Sequence, residues 1–300
     1  MTATAVPARP ADAGGAIGNL MASVVLFSIT DALVKWLAGY PIFEMLFFRS
    51  FFAFLPLGVL LWRGGGFGDL RTRQPVLQGW RAATGIASMC FFYLGFRSMP
   101  LADVIAIAFT GPLFMTVLSI PFLGEQVGPR RWTAVLAGFL GVLLIARPGS
   151  GLIGLAALYP LAGAFCGAAS MILVRRLSVT DSNASIVCYH AVAATLVGAA
   201  MMPFDWVMPT AVDWPLLIAV GLVGGTAQIF LTQAFRLAPA ALLAPFKYIA
   251  IVFAILFGYL LFGDLPDAWT LVGAGVVIAS GLYILHREGV RRAERRPAAA

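Results

Sequence analysis

The chain is built from long apolar blocks separated by short polar stretches. It shows neither the strict alternation of a half-buried strand nor the one-sided stripe of a surface helix. A helix needs about 17–25 mainly apolar residues to cross a bilayer. Ten blocks reach that length: 16–37, 42–62, 79–97, 101–123, 131–147, 152–174, 184–204, 215–236, 240–262 and 268–286. The longest linker, 63–78, contains Gly64, Gly65, Gly66 and Pro75, and no linker has room for a soluble domain. The pattern predicts an all-α polytopic membrane protein with ten transmembrane helices. Residues 1–15 read as a disordered tail. The block after them carries Asp31 and Lys35 and has no evident cleavage site, so it reads as a retained helix.

Composition agrees with this. Hydrophobic residues make up 61% of the 300 and charged residues only 11%, against about 25% charged in soluble proteins. Mean hydropathy is +0.93. A water-soluble core of this size has no room for so much apolar surface, which excludes a soluble enzyme, a disulfide scaffold and a disordered chain. Cys90, Cys166 and Cys188 each sit inside an apolar run, and His190 and His286 are the only histidines. No spacing fits a metal site or a disulfide, so neither metal nor cofactor is expected.

The net charge of +7 comes from residues scattered over loops rather than from a phosphate-tracking stripe, so nucleic acid is not an expected partner. With a cytoplasmic N-terminus, fifteen arginines fall in inside segments and their flanks; Arg81, Arg175 and five in the basic tail 287–300 are among them. Only Arg97 and Arg147 fall outside. This asymmetry predicts that both termini are cytoplasmic.

The chain also resembles itself at a shift of 139 residues. Phe96, Arg97, Pro100, Ala102, Phe114 and Gly124 match Phe235, Arg236, Pro239, Ala241, Phe253 and Gly263, and Glu125 matches Asp264. Pro100 and Pro239 suit the first turn of a helix, where a missing N–H costs nothing. Gly124 and Gly263 suit a left-handed helix terminus. The boundaries are 16–147 and 151–286. Five spans per unit is an odd number, so the two units insert with opposite polarity around a central cavity, a recurring transporter architecture.

These paired segments, "FR-x-x-P…GE" and "FR-x-x-P…GD", together with the first hairpin "SITDALVKW…YPIFEMLFFRSFFA", resemble the EamA group of the drug/metabolite transporter superfamily. The resemblance covers about 16–286. It implies a basket-like bundle with peripheral fifth and tenth helices, alternating access, and export of amino acids or other small metabolites across the bacterial inner membrane. The second unit lacks the Asp/Lys and Glu/Arg sets of the first hairpin, so the halves are chemically unequal there.

Ionisable groups inside spans cost about 2.5 kcal/mol or more at the bilayer centre and mark functional candidates. Lys35 and Glu44 lie nearly equidistant from the first hairpin turn, as do Asp31 and Arg49. This predicts two stacked ion pairs, acting either as a structural clamp or as a gate or coupling site. His190 falls near the place in the second unit that Arg49 holds in the first, and can titrate or simply hold one fixed hydrogen bond. Lys247 either faces a substrate carboxylate in the cavity or snorkels to the surface. Tyr248, Tyr93 and Phe109 are candidate lining residues, and Gln228 a candidate polar contact, with Gln233 beside it. Asp103 reads as an exposed first-turn acid. Pro112 and Pro245 interrupt corresponding helices, the strongest sequence pointer to a transporter's site. Small residues at Ala134/Gly138, Ala137/Gly141 and Gly275/Ala279 suit close helix contact, either within the bundle or across a homodimer.

The expected function is therefore a secondary carrier that exports amino acids or related small metabolites. Import of a nucleoside-like metabolite and export of cationic drugs on the same fold are the alternatives. No H-E-x-x-H motif, filter-like loop or Walker motif supports a protease, a channel or an ATP-driven pump.

Overall fold

The computed structural model describes residues 13–63, 68, 70–123, 129–146, 155–237, 243 and 246–295, and every regular element among them is helical. In chain order these are α1 (Ala13–Trp36), α2 (Ile42–Phe52), α3 (Phe54–Arg63), α4 (Pro75–Ser98), α5 (Leu101–Ala108), α6 (Gly111–Leu123) and α7 (Pro129–Ala146). The second half supplies α8 (Leu158–Leu177), α9 (Asn183–Met201), a 3-10 turn at Met202–Phe204, α10 (Asp213–Leu237), α11 (Ala250–Phe262) and α12 (Ala268–Arg295).

Six of the described segments are long and apolar enough to cross a membrane, and three shorter apolar helices accompany them. The remaining segment, α4, has 24 residues but is less apolar, because it carries Gln78, Arg81, Thr84 and Ser88. Its polarity has a structural purpose, since α4 turns much of that face inward.

The sequence boundaries need local correction. α4 begins at Pro75, four residues before the expected 79, with its proline at the first helical position. The second block divides at Ala53, because Pro56 cannot donate to the Phe52 carbonyl and its ring crowds that turn. α12 continues to Arg295, so the expected basic tail begins as helix. Pro41 and Pro100 cap α2 and α5. Gly263 takes φ 69°, and its N–H reaches the Tyr259 carbonyl at 3.1 Å, while Asp264 N–H reaches Gly258 at 3.0 Å. This is the left-handed terminus that the repeat predicts. Gly124 and Pro239 lie outside the described residues, as do residues 1–12.

The packing carries the internal symmetry. α1 lies along α10, and α4 lies along α8; α6 packs on α8, and α11 packs on α1. α2 packs on α9 and α7 on α12. Exchanging the five spans of one half for those of the other maps each of these contacts onto another of them or onto itself. The fold is thus two five-span repeats interlocked about a pseudo-twofold axis, and each helix finds its main neighbour in the opposite repeat.

At the α7–α12 contact the two backbones touch. A Cβ on Gly141 would stand 2.8 Å from the Gly273 carbonyl oxygen, and one on Gly273 would stand 2.6 Å from that of Gly141. The small residue at 141 therefore serves packing inside the bundle. Gly138 admits Leu113 in the same way, whereas Gly275 faces open space.

One polar knot ties the loops at the end of the bundle where α1 begins. Asp181 is buried between α8 and α9 and accepts from the Thr72 hydroxyl, Gln78 Nε2 (2.9 Å), Arg73 N–H (3.3 Å) and the Thr180 hydroxyl (3.0 Å). Burial pushes its carboxyl upward, but these hydrogen bonds outweigh burial and hold it below the usual carboxylate range. With the folded value depressed, the stabilisation is present above the unfolded carboxylate value of about 3.9. It is lost as pH falls through the lower folded value. Asp181→Ala is expected to cost about 2 kcal/mol at neutral pH. In thermal unfolding, the gap between the wild type and Asp181→Asn should narrow steadily as pH falls from 5 towards 3. A gap independent of pH would contradict this role.

Candidate functional site

The interlocked repeats enclose a cavity of about 490 Å³. Its wall comes from α1, α2, α4, α5, α6, α8, α9 and α10 and from the segment just before α11. Among the described residues, α7 contributes nothing to it and α12 contributes only Ile284. These two helices are peripheral, as the family resemblance implies.

The cavity is built around two broken helices. α5 ends at Ala108, Phe109 and Thr110 form a turn, and α6 starts at Gly111 with Pro112 in its first turn. Within the turn the Ile107 carbonyl accepts both the Thr110 N–H at 3.0 Å and the Thr110 hydroxyl at 2.8 Å. In the second repeat Phe246 and Lys247 are helical, Tyr248 and Ile249 form a turn, and α11 starts at Ala250. The two turns are separated by 139 residues, the offset of the internal repeat. Pro112 and Pro245 are therefore not equivalent, but the breaks are. Pro245 itself lies outside the described residues.

Phe109 and Tyr248, symmetry mates under that offset, meet edge to face with centroids 4.9 Å apart and ring planes at 72°. Both line the cavity, as expected of them. The Tyr248 hydroxyl is buried without a hydrogen-bond partner among the described residues, and it faces Gly281, where any side chain would collide with it.

The charged wall is strongly one-sided. Among the described residues, Arg49, Arg81, Arg175 and Lys247 line the cavity with a single carboxylate, Asp31, and His190 stands with them. Arg49 donates to the Tyr93 hydroxyl at 3.2 Å and lies 6.0 Å from the centre of the Phe27 ring. Asp31 and Arg49 share the wall and interact electrostatically, but no ion pair within 4.0 Å joins them. Lys247 projects into the cavity rather than snorkelling away from it. Its side chain is exposed and lines the cavity, with the Phe235 ring centre 5.8 Å from Nζ. Gln228 lines the wall and donates to the Thr232 hydroxyl at 3.3 Å; Gln233 is not part of the wall.

Three sequence expectations fail, the first being the Asp31–Arg49 ion pair, whose members stand too far apart to join. Lys35 and Glu44 do not pair. Lys35 reaches Asp264 at 3.3 Å, donates to the Met99 carbonyl at 2.8 Å and lies over the Phe262 ring at 5.1 Å. Glu44 is buried and accepts from Val207 N–H at 3.1 Å. The reason is topological: α1 packs on α10 and α11, whereas α2 packs on α9 and α10, so the consecutive helices do not form a side-by-side hairpin. Asp103 is also buried in the first turn of α5 rather than exposed.

The corrected contacts tie the two repeats together at the end of α1. Lys35–Asp264 joins the end of α1 to the residues after α11, and the Tyr40 hydroxyl donates to Asp213 at 2.6 Å nearby. None of Lys35, Tyr40, Glu44, Asp213 and Asp264 lines the cavity. At the other end the wall continues to Arg175, exposed in the last turn of α8. Sequence reasoning missed Asp264 as a partner and took Arg81 and Arg175 for loop charges. The repeat had already marked Asp264 by its match to Glu125. Arg81 had no such signal until α4 was seen to begin at Pro75, which sets Arg81 about 9 Å inside that helix end at 1.5 Å per residue.

The EamA-like transporter family model matches residues 15–147 and again 154–285, one match per repeat. The chain is 31% identical to a riboflavin transporter of Rhizobium johnstonii over 99% of both chains. It is 35% identical to the pseudopaline exporter CntI of Pseudomonas aeruginosa, over 87% of this chain and 92% of that one. An S-adenosylmethionine uptake transporter of Rickettsia conorii is 28% identical over 91% of this chain and 92% of its own. A crystal structure with 18% identity superposes with a TM-score of 0.64 over 94% of this chain and 99% of that one, sharing the fold. By sequence and architecture alike, the chain belongs to the EamA-like transporter family of the drug/metabolite transporter superfamily, a multi-pass membrane protein whose named relatives move small molecules.

Proposed function

We propose that the protein is a secondary carrier that exports amino acids or closely related small metabolites across the bacterial inner membrane by alternating access. The observation that carries this reading is the enclosed cavity at two symmetry-related helix breaks, where basic side chains surround one carboxylate between aromatic rings. An amino acid needs a cation for its carboxylate, an acceptor for its ammonium and an apolar wall for its side chain. Lys247, Arg49 and Arg81 supply the first, Asp31 the second, and Tyr93, Phe109, Phe92 and Phe235 the third. A basic wall opposes a cationic drug. The ring-rich lining and relatives named for riboflavin and S-adenosylmethionine support a second reading, uptake of a nucleoside-like metabolite.

The arginine distribution supports cytoplasmic termini; in that orientation Arg175 marks a cytoplasmic mouth of the cavity, and Lys35–Asp264 acts as the outer closure. Asp31 and Arg49, adjacent on the wall but not joined, act as the coupling or gating pair; His190 is the third member of this group.

The direct test is uptake of radiolabelled amino acids into liposomes holding the purified protein, with and without an imposed proton gradient. Saturable uptake of at least one amino acid, reduced at least tenfold in Lys247→Ala, is expected. No uptake above empty liposomes for any amino acid would remove this cargo and leave the nucleoside-like reading. For the closed end, Lys35→Gln should speed amide hydrogen exchange in the turns at 37–41 and 263–267 about two- to fivefold, in line with a partly exposed ion pair. Unchanged exchange in both turns would show that the pair does not hold that end.

A further inference from the structure

The cavity holds half of an ion pair whose other half is supplied by nothing in the described protein. Arg81 is only 4% exposed, yet its Nε and Nη1 have no hydrogen-bond partner among the described residues. His190 Nδ1 is buried and unpartnered as well. The two groups converge over Gly85, on the turn of α4 that follows Arg81. The point where a Cβ of Gly85 would stand lies 3.3 Å from Arg81 Nη1 and 3.2 Å from His190 Nδ1. The same point lies 2.8 Å from His190 Cε1, so glycine at 85 lets the imidazole close against α4 beside Arg81. The cradle is held firmly: the Ser170 hydroxyl donates to the Arg81 carbonyl at 3.3 Å, and that of Ser88 donates to the Gly163 carbonyl at 2.8 Å, locking α4 to α8 on either side.

A buried guanidinium without a counter-charge is among the least tolerated features of a protein interior. The single carboxylate on the wall, Asp31, is engaged electrostatically by Arg49. The remaining basic side chains on the wall, Arg175 and Lys247, only add to the positive excess. An arginine fork is suited to a planar or tetrahedral oxyanion, and a neighbouring imidazole N–H can complete its coordination.

We propose that Arg81, with His190 seated beside it against Gly85, forms the site that holds the acidic group of the transported molecule, a carboxylate or phosphate oxyanion. This deepens the carrier reading above and rests on it. The anchored oxyanion leaves the apolar body of the molecule to extend along Tyr93 and Met89 towards the Phe109–Tyr248 crossing, all of which line the same cavity. Arg81 is then a substrate-binding residue, and a neutral analogue of the same shape strands the guanidinium unpaired, which gives strong discrimination against it.

The test uses the purified full-length chain in detergent, titrated with benzoate, phenyl phosphate and neutral benzamide while thermal unfolding is followed. At least one of the two anions should raise the unfolding temperature saturably, and benzamide should not. The half-saturating concentration should rise at least tenfold in Arg81→Gln and at least threefold in Gly85→Ala. It should recover to within about threefold of the wild type in Arg81→Lys and stay unchanged in Arg97→Gln, which alters an exposed residue outside the cavity. A response to benzoate alone assigns the site to carboxylates, one to phenyl phosphate alone to phosphates, and one to both to the shared oxyanion; each supports the site. No response to either anion, an equal response to benzamide, or a response unchanged in Arg81→Gln would overturn it. Saturable anion binding by a protein that transports nothing in liposomes would overturn the carrier reading and leave the site standing. Transport with no preference for acidic over neutral analogues would overturn the site alone.

Discussion

Inside a bilayer a helix can be interrupted only where the backbone groups it releases find a partner other than lipid. The whole architecture follows from placing two such interruptions together. The turns at Phe109–Thr110 and Tyr248–Ile249 sit at the same position of the two repeats, and their rings meet at the cavity. The helices that carry the breaks pack on helices of the opposite repeat, α5 on α11 and α6 on α8. The same enclosure makes room for ionisable side chains, which are costly anywhere else in the membrane. Break, cavity and charge are thus consequences of one constraint.

The two repeats are equal in packing and unequal in chemistry. Asp31 and Arg49 come from the first repeat, and their positional counterparts in the second carry no matching pair. Arg81 stands beside His190 of the second repeat, while Lys247 enters from the second break alone. A symmetric scaffold allows both ends of the cavity to open by equivalent motions. An asymmetric lining gives the cavity one orientation of binding, with the acidic group of a ligand drawn to Arg81 and its body to the ring crossing.

Much of this was legible in the chain. The apolar blocks gave the number of spans, because a bilayer demands length and hydropathy that no other environment requires. The repeat gave the inverted pairing, and through Pro112 it pointed to the break in the fourth span. Lys247, Tyr248, Tyr93, Phe109 and Gln228 were read onto the cavity and lie there. What failed was reasoning from sequence neighbours. Lys35 was matched with Glu44 nine residues on, whereas its partner is Asp264, because α1 packs on the second repeat rather than on α2. Asp181 was invisible as a knot because its donors Thr72, Arg73 and Gln78 are more than a hundred residues away. Arg81 was hidden by a helix start misplaced by a single turn.

Alternating access, as proposed for this carrier, requires the cavity to open at one end as it closes at the other. Pulsed electron–electron distance measurement tests this most directly, with spin labels at Gly39 and Leu265 across the closed end and at Gly14 and Val179 across the other, all four exposed sites. The account predicts two distance populations at each end, changing in opposite directions whenever ligand or pH shifts one of them. A single distance at both ends under every condition, or changes in the same direction at both, would contradict it.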